Sequence, residues 1–190
     1  MLALLSALLL LPILPPAPKA HVVDKAHSEI NFVAEARFLS AHGFFAAWDA
    51  DVQLDRENMA NSTVKITIDT KSITTRNDRR DNHLKSNDFF ATDSFPTITF
   101  VSRKIVASGD KQYQMTGDLT IRGRTREVTI PIKEQFYEPG ANGGRGRWKG
   151  AFSVKRMEYG VAFQSRLNPI EDEIQIQWDF SLLESPSAGK

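Results

Sequence analysis

Residues 173–182 read EIQIQWDFSL, and their alternation decides the fold class. Ile174, Ile176, Trp178, Phe180 and Leu182 share one side of an extended chain, and Glu173, Gln175, Gln177, Asp179 and Ser181 share the other. A period of two places neighbouring side chains on opposite faces of a strand. This segment is therefore a strand with one apolar and one wet face. Such alternation also makes it antiparallel, because parallel strands are buried on both faces and read as unbroken apolar runs.

The same period runs back through the chain. Trp148, Gly150, Phe152 and Val154 form a seventh stripe, Val128, Ile130 and Ile132 a sixth, and Tyr113, Met115, Gly117, Leu119 and Ile121 a fifth. Ile98 and Phe100 open a fourth strand that runs to about Ala107. Val64, Ile66 and Ile68 make the third, Phe44, Ala46, Trp48, Ala50, Val52 and Leu54 a long second, and Ile30, Phe32, Ala34 and Ala36 the first. Ser108-Gly109-Asp110 and Arg122-Gly123 are turn signals between them, with glycine free to take positive φ. Two architectures satisfy eight amphipathic antiparallel strands: a sandwich, or a sheet closed on itself. Strands of ten residues run ~33 Å, and an eight-stranded barrel has an interior that side chains fill or that holds one small ligand. The barrel is the preferred reading.

One segment breaks the period. Residues 77–90, NDRRDNHLKSNDFF, contain no β-branched side chain. Asn77 suits an N-cap, and Asp78 and Asp81 fall in the first turn, where negative charge is favoured. This predicts one short α-helix of about ten residues between the third and fourth strands, ending near Ser86. Leu84, Phe89, Phe90 and Phe95 are its expected contacts with the barrel.

Composition narrows the function. A chain of 190 residues fits one domain. It has no cysteine, which removes disulfides and thiolate metal sites. Its 24 basic residues against 23 acidic ones argue against a nucleic-acid partner. Residues 2–14 are almost wholly apolar and are followed by Pro15, Pro16 and Pro18. That run is too short to span a bilayer and suits a secretory signal. The expectation is a signal peptide over residues 1–20, a β-barrel domain over 21–184, a polar tail over 185–190, and a periplasmic or secreted location.

Chemistry-bearing motifs are sparse. His21, His27, His42 and His83 lack the close spacing of a metal pair, so no metal site is expected. No G-x-S-x-G elbow is present, and no catalytic residue is assigned. The glycine-rich run at 139–147 lacks the Lys-Ser/Thr ending of a phosphate loop and reads as a hairpin loop. Arg76, Arg79, Arg80, His83 and Lys85 cluster around the helix. They form either a solvated face with local ion pairs or contacts to an anionic head group at a cavity mouth. The apolar stripes carry the same ambiguity. Inward Ile, Phe and Val more often make a packed core than a pocket, and periodicity alone leaves both open.

The residues assembled here resemble the YceI-like, polyisoprenoid-binding family, which has a lipocalin-like fold. The likeness spans about residues 21–184 and is strongest over 75–100. Arg80-Asp81, His83-Leu84, Asp88-Phe89-Phe90 and Phe95-Pro96-Thr97-Ile98-Thr99-Phe100 fall in the family's order. Asp24 with His27-Ser28, the stretch from Gly117 to Gly123 with Thr125, and Arg156 with Tyr159-Gly160 match further. Ala46 and Ala50 depart from it, standing where the family's second strand carries glycine, and their methyl groups are expected to narrow the cavity or shift a bulge.

The resemblance implies an all-β, extended eight-stranded antiparallel barrel closed by the helix, with an apolar chain in its lumen and no catalytic residues. The expected lumen set is Phe32, Ala34, Trp48, Ile66, Phe89, Phe90, Phe100, Gly117, Leu119, Ile130, Phe152 and Trp178, with Arg80 and His83 as head-group contacts. No cofactor is expected, but a bound isoprenoid lipid or quinone is. The partner is an isoprenoid or other long-chain lipid, membrane contact is transient, and a homodimer stays open. The functional expectation is a lipid-holding protein for storage, protection or transport. The alternative is a ligand-free structural or stress-response interaction barrel.

Overall fold

The computed structural model describes residues 17–140 and 143–185. Most of the expected signal peptide (1–16) and nearly all of the polar tail (186–190) lie outside the described residues. The elements are β1 (Lys19–Val23), β2 (Glu29–Ala36), β3 (Leu39–Phe45), β4 (Trp48–Leu54), β5 (Thr63–Asp69), β6 (Ile73–Thr74), α1 (Asp78–Lys85), β7 (Thr97–Gly109), β8 (Gln112–Ile121), β9 (Arg124–Glu138), β10 (Arg145–Lys155) and β11 (Ile170–Glu184).

These eleven strands make eight staves. β1 and β2 are one stave broken by the turn Lys25–His27, β3 and β4 are one stave bent at residues 46–47, and β5 and β6 are one stave broken by the turn Thr70–Ser72. Neighbouring staves pair antiparallel in chain order. The sheet closes where β11 pairs with both halves of the first stave, Val33↔Gln175 at one end and Val22↔Leu183 at the other. The result is the closed eight-stranded antiparallel barrel expected from the stripes. Closure leaves no long free edge on which another chain could pair.

β1 carried no stripe long enough to read. Lys19 and Ala20, placed above in the leader, pair with Leu54 and Gln53 of β4, and Lys19 Nζ binds the Glu184 carboxylate.

The second stripe needs a correction. Phe44 and Ala46 were placed in phase with Trp48. In the structure the inward positions of β3 are odd-numbered, with Gly43 and Phe45 buried, while those of β4 are even-numbered, with Val52 and Leu54 buried. The bend at Ala46 and Ala47 shifts the phase by one residue, because the side-chain period is two. It is held by Ala46 N donating to Ser72 O (3.1 Å) and Asp69 N donating to Ala47 O (2.9 Å). Ala46 is consequently exposed, and Ala50 packs at the end of the barrel away from α1, so neither narrows the cavity described below. A second phase shift lies in β7, where a bulge between Ser102 and Lys104 carries the inward positions from Ile98 and Phe100 to Ile105.

α1 forms as its cap predicts. The Asn77 side chain accepts from Arg80 N (3.0 Å), and Ser86 closes the C-terminus. Asp81 ties the helix to the barrel by accepting from the Thr75 amide (2.8 Å) and hydroxyl (2.5 Å). Arg122, at the β8–β9 turn, donates to the carbonyls of Asn87 (2.8 Å), Phe89 (2.8 Å) and Gly160 (2.6 Å). The segment after α1 is thereby fastened over one end of the barrel.

Candidate functional site

The interior is divided in two. In the half away from α1, Trp48 stacks on Phe180 at 4.7 Å and Trp178 meets Phe180 at 4.8 Å, above a fully enclosed Ile105 and Met115. The void left there is about 30 Å³, room for little more than one water. Glu134, buried and paired with Arg56 at 2.6 Å, lies at that end. This half is a packed core.

The half beneath α1 holds a cavity of about 460 Å³, within the ~300–1,000 Å³ usual for small-molecule sites. Phe32 and Ala34 of β2, Ile66 of β5, Phe100 of β7, Leu119 of β8 and Ile130 of β9 line it. Phe152 of β10, Trp178 of β11, and Phe89 and Phe90 beyond α1 complete the expected set around it. Trp178 faces both the cavity and the small void, so its ring is the floor between the halves. Among the described residues its indole Nε1 is a buried donor with no partner.

Two expected residues stand apart. Trp48 belongs to the packed half, where Lys25 Nζ also lies 3.5 Å from its ring centroid. Gly117 faces the wall: a Cβ there would meet the Val101 carbonyl oxygen at 2.4 Å and Ser102 Cα at 2.8 Å. It would also meet the Phe100 ring at 2.7 Å, so its missing side chain accommodates the β7 bulge and that ring rather than a ligand. Gly43 and Gly150 make room for rings as well. A Cβ would strike Phe32 at 2.3 Å at the first and Trp178 at 2.4 Å at the second.

Around the cavity, polar side chains gather at the α1 end. Arg80 and His83, the expected head-group contacts, both line the cavity. Arg80 donates from Nε to Thr75 Oγ1 (2.7 Å) and from Nη2 to Thr75 O (3.0 Å). His83 Nε2 lies 2.9 Å from Asp88 Oδ2, and its ring sits edge-on to Phe89 and Phe163.

Arg156 joins them and was not selected as a site residue from the sequence. It is buried, and it donates to the carbonyls of Val161 (2.5 Å), Phe163 (3.0 Å), Ile170 (3.1 Å) and Glu171 (3.0 Å). Burial draws its guanidinium below its ordinary value, opposed by Asp172, but an arginine still keeps its charge. Neither Arg80 nor Arg156 forms an ion pair among the described residues. Two guanidinium groups with no ion-pair partner among the described residues therefore border a mostly apolar cavity.

The loop that carries Tyr159, Val161 and Phe163 into the lining was also missed. Its one local signal is Gly160, which turns the chain at φ 77° after the short helix Arg156–Tyr159.

Residues 21–182 match the family described as the YceI-like domain. The chain belongs to the YceI-like family. A UPF0312 protein of Vibrio vulnificus is 33% identical over 141 residues, covering 73% of this chain and 74% of that one. The solved structure of Burkholderia cenocepacia BcnA superposes with a TM-score of 0.76 at 27% identity, covering 84% of this chain and 98% of that one. A structure described as a polyisoprenoid-binding domain from Saccharophagus degradans, implicated in plant cell wall breakdown, superposes with a TM-score of 0.64. At 15% identity, over 88% of this chain and 99% of that one, it shares the fold alone. Within the YceI-like frame, the odd-numbered phase of β3 brings Leu39 and Ala41 into the lining, and the tryptophan floor confines the cavity to one half of the barrel.

Proposed function

We propose that this YceI-like chain is a non-catalytic lipid-holding protein. It takes the apolar tail of an isoprenoid lipid or quinone, or a similar chain, into the half-barrel beneath α1. The observation that carries this reading is the cavity itself: walls of Phe, Ile, Leu and Ala, with polar groups confined to the α1 end. Burial supplies the affinity at ~0.8 kcal/mol per methylene, and such contacts discriminate weakly among chain types. Arg80 and Arg156, with His83 beside them, favour a polar or anionic head group. The tail needs no reacting group from the protein, and the cavity walls below the mouth offer hydrocarbon. The relative described as polyisoprenoid-binding supports the same ligand class. The apolar leader supports export to the periplasm, where the protein stores, shields or transports its lipid.

Organic extraction of protein purified from its native host, followed by mass spectrometry, tests the reading. The expected result is a tail-bearing lipid in stoichiometric amount. A barrel that emerges empty and takes up no prenyl or quinone tail in solution is an interaction barrel instead.

A further inference from the structure

The two most exposed large hydrophobic side chains of the described residues are Leu167, at 80% exposure, and Phe38, at 72%. Scattered exposed apolar residues need no explanation, but these two stand on loops that are bonded to each other. Phe38 sits at the tip of the β2–β3 turn and Leu167 in the loop between β10 and β11. Phe38 N donates to Asn168 Oδ1 (3.1 Å), and Arg37 N donates to Pro169 O (3.2 Å), so the two tips are joined.

Their chain neighbours place them at the mouth. Ala36 and Leu39 flank the turn, Ser165 and Asn168 flank the loop tip, and all four line the cavity. The chain thus holds two apolar side chains in water at the rim of an apolar cavity. Arg37 and Arg166 stand next to them, and neither forms an ion pair among the described residues.

We propose that Phe38 and Leu167, flanked by Arg37 and Arg166, dock the barrel mouth onto an anionic phospholipid surface. Charge selects the partner. An apolar pair beside two free guanidinium groups matches an interface with hydrocarbon below and negative head groups above. Docking there turns the open half of the barrel toward the bilayer, so a tail passes between membrane and lumen with little exposure to water. The inference rests on the lipid-holding reading for its purpose, but its test does not.

The test is flotation with vesicles of mixed phosphatidylglycerol and phosphatidylcholine, and with vesicles of phosphatidylcholine alone. Wild-type protein should float with the anionic vesicles and lose binding as salt rises. Phe38→Ser combined with Leu167→Ser should weaken binding by about tenfold or more. Arg37→Gln combined with Arg166→Gln should abolish the salt-dependent share. Phe136→Ser, on a partly exposed side chain at the packed end, should change nothing. Circular dichroism confirms that each variant folds, and uptake of farnesol from detergent solution should match wild type in all of them. Loss of farnesol uptake in wild type sinks the lipid-holding reading and leaves docking standing. The docking proposal falls if wild type ignores anionic vesicles, binds neutral ones equally, or binds unchanged in the serine variant. It also falls if sedimentation shows the Phe38–Leu167 face buried in a dimer.

Discussion

At the residue scale, side chains that all face inward do two different jobs. Ile105 and Met115 are sealed among other side chains, where a larger residue overpacks at ~1–3 kcal/mol. Ala34 borders open space. Ala34→Phe should therefore enlarge the wall without straining it. Displacing two methylenes of a bound tail at ~0.8 kcal/mol each lowers affinity about tenfold. Thermal melting of the delipidated variant should stay close to wild type, and a fluorescent-tail binding assay should show the loss. A fall in melting temperature with unchanged binding would show that Ala34 belongs to the packed core.

At the element scale, the Asp81 carboxylate and the Arg80 guanidinium both tie α1 to Thr75, and the carboxylate's share can be read by pH. Burial alone raises Asp81, but the hydrogen bonds from the Thr75 hydroxyl and amide and the Thr74 hydroxyl outweigh it, and the group titrates below its ordinary 3.8. A carboxylate bound this way stabilises the fold above its unfolded pKa, and the contribution disappears as pH falls through the lower folded value. Asp81→Asn should cost ~1–3 kcal/mol at neutral pH. The gap between wild type and variant should shrink in denaturant melts taken at about pH 3 and below. A gap that does not change with pH would mean that the charge is not what anchors the helix.

At the scale of the whole molecule, Trp178 sets how far a tail reaches. Its ring lies across Gly150 and closes off the packed half. Trp178→Ala should join the cavity to the void beyond it and shift preference from a short prenyl chain such as farnesol toward a long one such as solanesol. It should also cost ~3–5 kcal/mol of stability, so chain preference is read as a ratio of affinities on folded protein. An unchanged ratio would show that the floor lies elsewhere.

The sequence by itself determined the strand period, the inward face of most staves and the capped helix between the third and fourth. These follow from chemistry within a few residues: alternation of Ile174, Ile176 and Trp178 with Gln175 and Gln177, or an asparagine able to cap the turn after it. Ten of the twelve expected lumen residues border the cavity for that reason. The phase of β3 was not legible, because bend geometry at Ala46 and Ala47 decides it, through bonds to Ser72 and Asp69 in another stave. Nor was the place of Arg156 beside Arg80 in the lining, since four carbonyls of the loop that follows it and of β11 fix that guanidinium. The division into core and cavity belongs wholly to the tertiary structure. A stripe of apolar residues states which side is dry, but whether that side is filled depends on which rings from other strands meet in its space.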